Sequence, residues 1–409
     1  MNLIKSHIRN SLRRVTEALP ELDDLDELIA REARELLEHL NTAPHVGEVK
    51  VALYPTYGYR LGDDWVIPLR GWTHQQRRLP HDVVAGVVAK LIECSGHEIG
   101  RIRERFQAFM DDSRSQQEVA VGFEADPARQ EFRFPTSDLN GLIKMEIRLP
   151  VTRAKEILQA QAAPGPRLAI NVASSGHNGN GHVRLIQPEG LSLVSDIDDT
   201  IKVTEIPRGK KVVLPRTFCR EFEAAPGMAA AYQALGQEVC FHYVSGGPWQ
   251  LFEPLRDFLF QTAGFPAGTF HLNYYPKNFL TGDTREALVD AITNPLGRTY
   301  AHKVQEISDL MERFPDRKFI LVGDSGELDP EIYQHIRVRY SRQVSEVWIR
   351  DVLNDEQDYP HRLGGVDKVI KVDPAVRMTE GHYEKLSPKI REMHGHPYTK
   401  KIEAPGDFT

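Results

Sequence analysis

The stretch LSLVSDIDDTIKVTEI, residues 191–206, constrains this chain more than any other. An apolar run of strand character ends in three aspartates, Asp196, Asp198 and Asp199, within four positions. Carboxylates in such a place must meet a neutralising partner. From this point the sequence alternates between strand and helix patterns. Strands are expected at 191–197, 238–245, 271–275, 318–323 and 347–350, and helices at 228–235, 249–260, 300–313 and 330–337. Such alternation predicts an α/β fold with a parallel sheet covered on both faces. Ligands of these sheets bind at the carboxyl ends of the strands.

The sequence upstream follows a different pattern. Apolar residues at helical spacing, broken at Pro20, predict two helices over 1–45. Their basic start is expected to be the solvated face of a packed amphipathic helix, and no secretion signal is read there. Short strand-like segments punctuated by Gly, Pro, Asn or Asp fill 46–189 and predict a β-rich domain of antiparallel, sandwich-like character, with one helix at 80–109. Its histidines, His74, His81, His97, His177 and His182, are scattered and form no site. The domain plan is therefore 1–45 helices, 46–189 β-rich, 190–375 α/β and 376–409 tail, since 409 residues exceed a single core.

A net charge of −7 argues against a general nucleic-acid binder. Cys94, Cys219 and Cys240 lie far apart without a CxxC, so neither a disulfide framework nor a zinc site is expected, and a cytoplasmic location fits.

Three polar clusters fall at the ends of the expected strands: Asp196, Asp198 and Asp199 after the first, SGGPWQ from Ser245 after the second, and GDSGELDPE from Gly323 after the fourth. Asp196 and Asp198 alternate along one strand, and Asp324 arrives from another. A hard divalent cation held by Asp196, Asp198 and Asp324 would relieve their repulsion, and an all-oxygen site suits Mg2+. Asp199 and Asp329 can equally be read as turn caps. Ser245, Gly246 and Gly247 ahead of Pro248 offer an anion site, and Lys303 brings positive charge.

Asp196, Asp198 and Thr200, then Ser245, Lys303, and Gly323 with Asp324 and Asp329, resemble the ordered motifs of the haloacid-dehalogenase-type phosphatases. SDIDDTIKVT, VSGGPWQ and GDSGELDPEIY resemble, within them, the domain shared by lipin-like and actin-patch-associated phosphatidate phosphatases. YYPKNF stands where an Arg-containing segment is expected. The resemblance implies a Rossmann-like haloacid-dehalogenase fold with a small flap. It implies Asp196 as nucleophile forming an aspartyl phosphate, Asp198 as general acid and base, and Thr200 orienting Asp198. Ser245 would hold a phosphoryl oxygen, assisted by Gly246 and Gly247, and Lys303 would offset charge. Mg2+ would be held by Asp196, the main-chain carbonyl of Asp198, and Asp324, with Glu327 and Asp329 acting through water or orienting the loop.

Only a short segment separates the first two motifs, so an open site with a small flap is expected, suited to a substrate presented on a surface. Residues 206–220, IPRGKKVVLPRTFCR, hold five Lys or Arg and no acid beside apolar residues, and are expected to touch an anionic membrane peripherally. The leading reading is a Mg2+-dependent phosphatidate phosphatase. The alternatives are a phosphatase of a phosphoprotein or nucleotide, and a phosphatidate-binding module without turnover.

Overall fold

A computed structural model describes residues 44–76, 98–161, 165–273 and 296–373, together with Ala85, Ala89, Cys94 and Met378. The helices expected over 1–45, half of the helix expected at 80–109, the YYPKNF segment and nearly all of the tail lie outside the described residues.

The β-rich region contains β1 (Val49–Leu53), β2 (Thr56–Leu61), β3 (Asp64–Gln75), β4 (Asp112–Ser113), β5 (Ala120–Phe123), β6 (Glu131–Arg133), β7 (Leu142–Pro150), β8 (Arg167–Val172), β9 (His177–Asn178) and β10 (Asn180–Leu185). The long β3 is its spine, pairing antiparallel with β1, β2, β4 and β7. Two pairings, β1 with β9 and β2 with β10, are parallel, which corrects the expectation of a purely antiparallel sheet. Alternation along β7 buries Ile143, Ile147 and Leu149 against Ile67 and Leu185. Helix α1 (Ile99–Met110) covers the last part of the expected helix, and Ala85 and Ala89 within it are also helical. Helix α2 (Val151–Ala160) was not expected: its buried residues are Ala154 and Ile157, too short an apolar stripe to announce a helix.

The α/β region is built on β11 (Gly190–Ser195), β12 (Cys240–Pro248), β13 (Thr269–Asn273), β14 (Arg317–Asp324), β15 (Val344–Asp351) and β16 (Lys368–Lys371). Every pairing is parallel, in the order β13-β12-β11-β14-β15-β16. Its helices are α3 (Lys210–Phe218), α4 (Met228–Gln233), α5 (Phe252–Asp257), α6 (Leu296–Arg313), α7 (Asp329–Arg339) and α8 (Asp355–Asp358). Central strands are apolar because both faces are covered: Leu193 enters one core with Tyr232 and Phe241, and Val194 enters the other with Ile307 and Phe319. The edge strand β16 escaped the sequence reading, since lysines at both ends leave only Val369 and Ile370 to mark it. Strand order reverses between β11 and β14, which places a crevice at their carboxyl ends.

Residues 206–220 form a 3-10 turn and α3, and part of their expected membrane-facing character is spent inside the protein. Val213 and Phe218 are buried in the core. Arg208 and Arg216 pair with Glu205 at 3.2 and 2.9 Å. Helix α1 grips the end of α3: Arg105 donates to the carbonyls of Thr217 and Arg220 at 3.0 and 2.6 Å, where the open end of a helix favours a cation. Cys94 and Cys219 are joined in a disulfide, which corrects the reading of the cysteines and removes their argument for a reducing compartment. Cys240 is free and buried. Among the described residues no helix is long and apolar enough to cross a membrane.

Candidate active site

The crevice at the strand-order reversal gathers the acids. Asp196 follows β11, Asp324 ends β14, and Asp329 opens α7. Carboxylate oxygens of Asp196, Asp324 and Glu327 lie within 4.8 Å of one another, all three residues buried. Lys303, on the inward stripe of α6 with Ile307 and Leu310, sends its buried ammonium to Asp196 Oδ1 at 2.7 Å, Asp329 Oδ1 at 2.6 Å and Glu327 Oε2 at 3.5 Å. Asp196 Oδ2 is fully buried and has no hydrogen-bond partner among the described residues.

Charge balance fails within this group. Burial pushes Asp196 well above the carboxylate range; Lys303 pulls against it, and Asp329 and Glu327 add to the push. Asp324 is driven up by burial and then by Asp329, Asp196 and Glu327. Glu327 is pushed to about 7 by burial, with Lys303 opposing and Asp329 adding. One ammonium cannot hold four buried carboxylates ionised. A divalent cation fits this donor set. The acids are hard oxygen ligands, and their oxygens converge within 4.8 Å of one another.

Asp198 does not share its side chain with that group. Its Oδ1 accepts from Lys202 Nζ at 2.8 Å and Thr204 Oγ1 at 2.6 Å. Burial raises this carboxyl, but Lys202 and Thr204 outweigh it and hold Asp198 below its usual range. Thr200 does not reach Asp198 as expected; its hydroxyl donates to Asp324 Oδ2 at 3.2 Å, and Gly326 N–H holds Oδ1 at 2.7 Å. Asp199 is a turn residue. Its carboxylate collects the N–H groups of Thr204, Glu205 and Ile206 at 2.6 to 2.9 Å, at a left-handed φ of 56°, and Arg350 grips its carbonyl at 2.6 Å. Asp329 both pairs with Lys303 and accepts from Asp324 N–H at 3.3 Å.

Ser245 is buried and its Oγ accepts from Gly247 N–H at 2.9 Å, shaping the end of β12. Gly246 has no room for a side chain: a Cβ would stand 2.5 Å from Thr299 Oγ1 on α6. Ser245, Gly246, Gly247, Asp198, Lys202, Thr204 and Glu327 line one cleft, whose other wall is Ile206, Val213, Phe222, Leu251 and Leu255. The structure thus brings together Asp196, Asp198, Asp324, Ser245 and Lys303. Lys202 and Thr204 were missed, because IKVT after the aspartates reads as more strand rather than as side chains folded back on Asp198.

Comparison with known proteins bears on the same stretch. Residues 191–351 match the family model described as Phosphatidate phosphatase APP1, catalytic domain. Phosphatidate phosphatase APP1 of Saccharomyces cerevisiae is 33% identical over 179 residues, covering 43% of this chain and 28% of the relative. An uncharacterized protein of Schizosaccharomyces pombe is 27% identical over 176 residues, 42% of this chain and 27% of the relative. The chain thus spans little more than a quarter of the length of the curated relatives it matches.

Proposed function

We propose that residues 191–351, which match the family model of the phosphatidate phosphatase APP1 catalytic domain, make this chain a phosphoric monoester hydrolase that converts phosphatidate to diacylglycerol and phosphate. The observation that carries the chemistry is Asp196: one oxygen lies against Lys303 and the other is buried without a partner. Such an oxygen is a nucleophile waiting for an electrophile.

In this reading Asp196 Oδ2 attacks phosphorus in line, forming a P–O bond as the bond to the diacylglycerol oxygen breaks. Asp198, which Lys202 and Thr204 hold ionised at rest, takes up a proton from water as substrate binds and passes it to that leaving oxygen. In the second half-reaction Asp198 takes a proton from water, whose oxygen attacks the aspartyl phosphate and releases phosphate with Asp196 regenerated. The hydroxyl of Ser245 and the ammonium of Lys303 bind phosphoryl oxygens, and Lys303 opposes the protonation of Asp196 that burial favours. Lys202 and Thr204 fix Asp198 towards the cleft. Asp196, Asp324 and Glu327, with the main-chain carbonyl of Asp198, would hold Mg2+, which would supply charge neutralisation and polarisation of phosphoryl oxygens. The apolar wall of the cleft supports an apolar alcohol as leaving group. Peripheral contact of residues 206–220 with an anionic bilayer belongs to the same proposal.

The test is release of phosphate by the purified chain from phosphatidate vesicles and from a panel of soluble phosphoesters, with and without Mg2+. Turnover of phosphatidate that needs a divalent ion and disappears in Asp196→Asn, with the fold retained, is expected. Turnover confined to a phosphopeptide or nucleotide moves the substrate elsewhere, and an active Asp196→Asn overturns the mechanism.

A further inference from the structure

The β-rich region does not simply precede the α/β region; the two share their cores. Tyr54 and Trp72 pack in one cluster with Trp249, Phe252 and Phe270, and Tyr57 packs in another with Phe314 and Ile307. At this seam the corner formed by β1, β2 and β3 touches two elements of the candidate site.

The first contact is ionic. Arg70 of β3 donates to Glu306 Oε1 at 2.7 Å, and His271 Nδ1 meets Glu306 Oε2 at 2.8 Å. Glu306 is buried on α6 and follows Lys303 by three residues, so the two lie on adjoining turns of one helix face. One turn before Glu306, His302 meets the carbonyl of His271 at 3.2 Å; two turns after it, Arg313 donates to the hydroxyl of Tyr57 at 2.5 Å. The second contact is aromatic. Tyr54 stacks on Trp249 with ring centroids 3.6 Å apart and planes 16° from parallel. Trp249 stands four residues after Ser245, at the turn that ends β12.

We infer that the β-rich region is a positioning element of the active site, with Arg70 setting the register of α6 through Glu306, and hence the place of Lys303, while Tyr54 sets the Ser245 loop through Trp249. The inference rests on the reading of Lys303 and Ser245 as phosphate-binding groups. Neither Arg70 nor Tyr54 touches the reacting atoms. Their effect is geometric, and geometry is costly: misplacement of a catalytic group by about 1 Å can lower a rate by about a hundredfold.

The experiment compares the full chain carrying Arg70→Met, Glu306→Gln, the double variant and Arg70→Lys, with Arg60→Met as a control. Arg60 is a cation of the same region whose side chain, among the described residues, bonds only to its own turn, at Gly62, and lies over Trp65. Expected are a kcat per folded enzyme at least tenfold lower in Arg70→Met and Glu306→Gln, no further loss in the double variant, and partial recovery in Arg70→Lys. Added guanidinium should restore part of the kcat of Arg70→Met. A role in folding alone would lower thermal stability and leave kcat per folded enzyme and the guanidinium response unmoved. Should Arg70→Met unfold, Tyr54→Leu, which keeps an apolar contact and removes the stack, carries the test through a weakened affinity for inorganic phosphate. An active wild type with Arg70→Met within twofold of it overturns this inference and leaves the proposed reaction standing. A wild type inactive on every phosphoester overturns the proposed reaction; affinity for inorganic phosphate then decides, and equal affinity in wild type and Arg70→Met overturns the inference too.

Discussion

Replacing Lys303 by Met tests the charge arithmetic of the site most directly. The ammonium lies 2.7 Å from Asp196, 2.6 Å from Asp329 and 3.5 Å from Glu327, and both it and the first two carboxylates are essentially inaccessible to water. A methionine of similar length fills the space and leaves four buried acids facing one another. Breaking a buried pair by removing one member costs about 3–5 kcal/mol, because the abandoned charge stays buried. At about 2–4 °C of melting temperature per kcal/mol for a unit of this size, the metal-free variant should melt about 6–20 °C below wild type. Loss of one preorganised donor to the phosphoryl group should lower kcat by about 10²–10³. Calorimetry in a chelator and phosphate release at saturating substrate measure the two effects separately. Saturating Mg2+ should narrow the stability gap, since the ion supplies part of the missing charge. A variant that melts within about 4 °C of wild type, roughly 1 kcal/mol, or keeps kcat within tenfold, refutes the argument.

Other consequences follow from single features. Burial raises the Glu306 carboxyl, but His271 and Arg70 outweigh it and hold it well below its usual value, so its contribution to stability is complete above the unfolded-state pKa and is lost as pH falls through the folded-state one. Glu306→Gln should therefore destabilise clearly at pH 7, and the gap should shrink as pH drops below about 4; a pH-independent gap in thermal unfolding contradicts this. Gly323→Ala should cost about 1–3 kcal/mol in denaturant titration, because its Cβ would stand 2.4 Å from Asp329 Oδ2. Wild-type stability within error rejects that crowding. Reducing the bond between Cys94 and Cys219, 125 residues apart, should lower the melting temperature, with chain entropy setting a scale of about 5 kcal/mol. A chain indifferent to reductant, with Cys94→Ser equally stable, would show that the link is not formed in solution.

The acid-bearing strand tips were legible because each interrupts an apolar run at a place where a buried parallel strand has no use for charge. The pattern alone thus places Asp196 and Asp324 at one edge of the sheet. The division of labour among the aspartates was not legible: Asp199 is set apart from Asp198 by a left-handed backbone and three N–H partners, which leave no mark in composition. Thr200 was assigned to the wrong carboxylate, since reach along a strand says nothing about which neighbouring strand stands closer. The Arg70–Glu306 pair spans 236 residues, and Cys94–Cys219 spans 125 without any spacing motif. Contacts of such length belong to tertiary folding and carry no periodic signature.

Gly246 is pressed so closely against Thr299 that even one methyl group would not fit between them. The cradle for a phosphoryl group and the rod bearing the lysine therefore behave as a single casting, finished when the chain folds rather than moulded by an incoming guest. Accommodation of differently shaped alcohols must then come from the facing wall of Val213, Phe222 and Leu255, and that is where changes of substrate preference should be engineered.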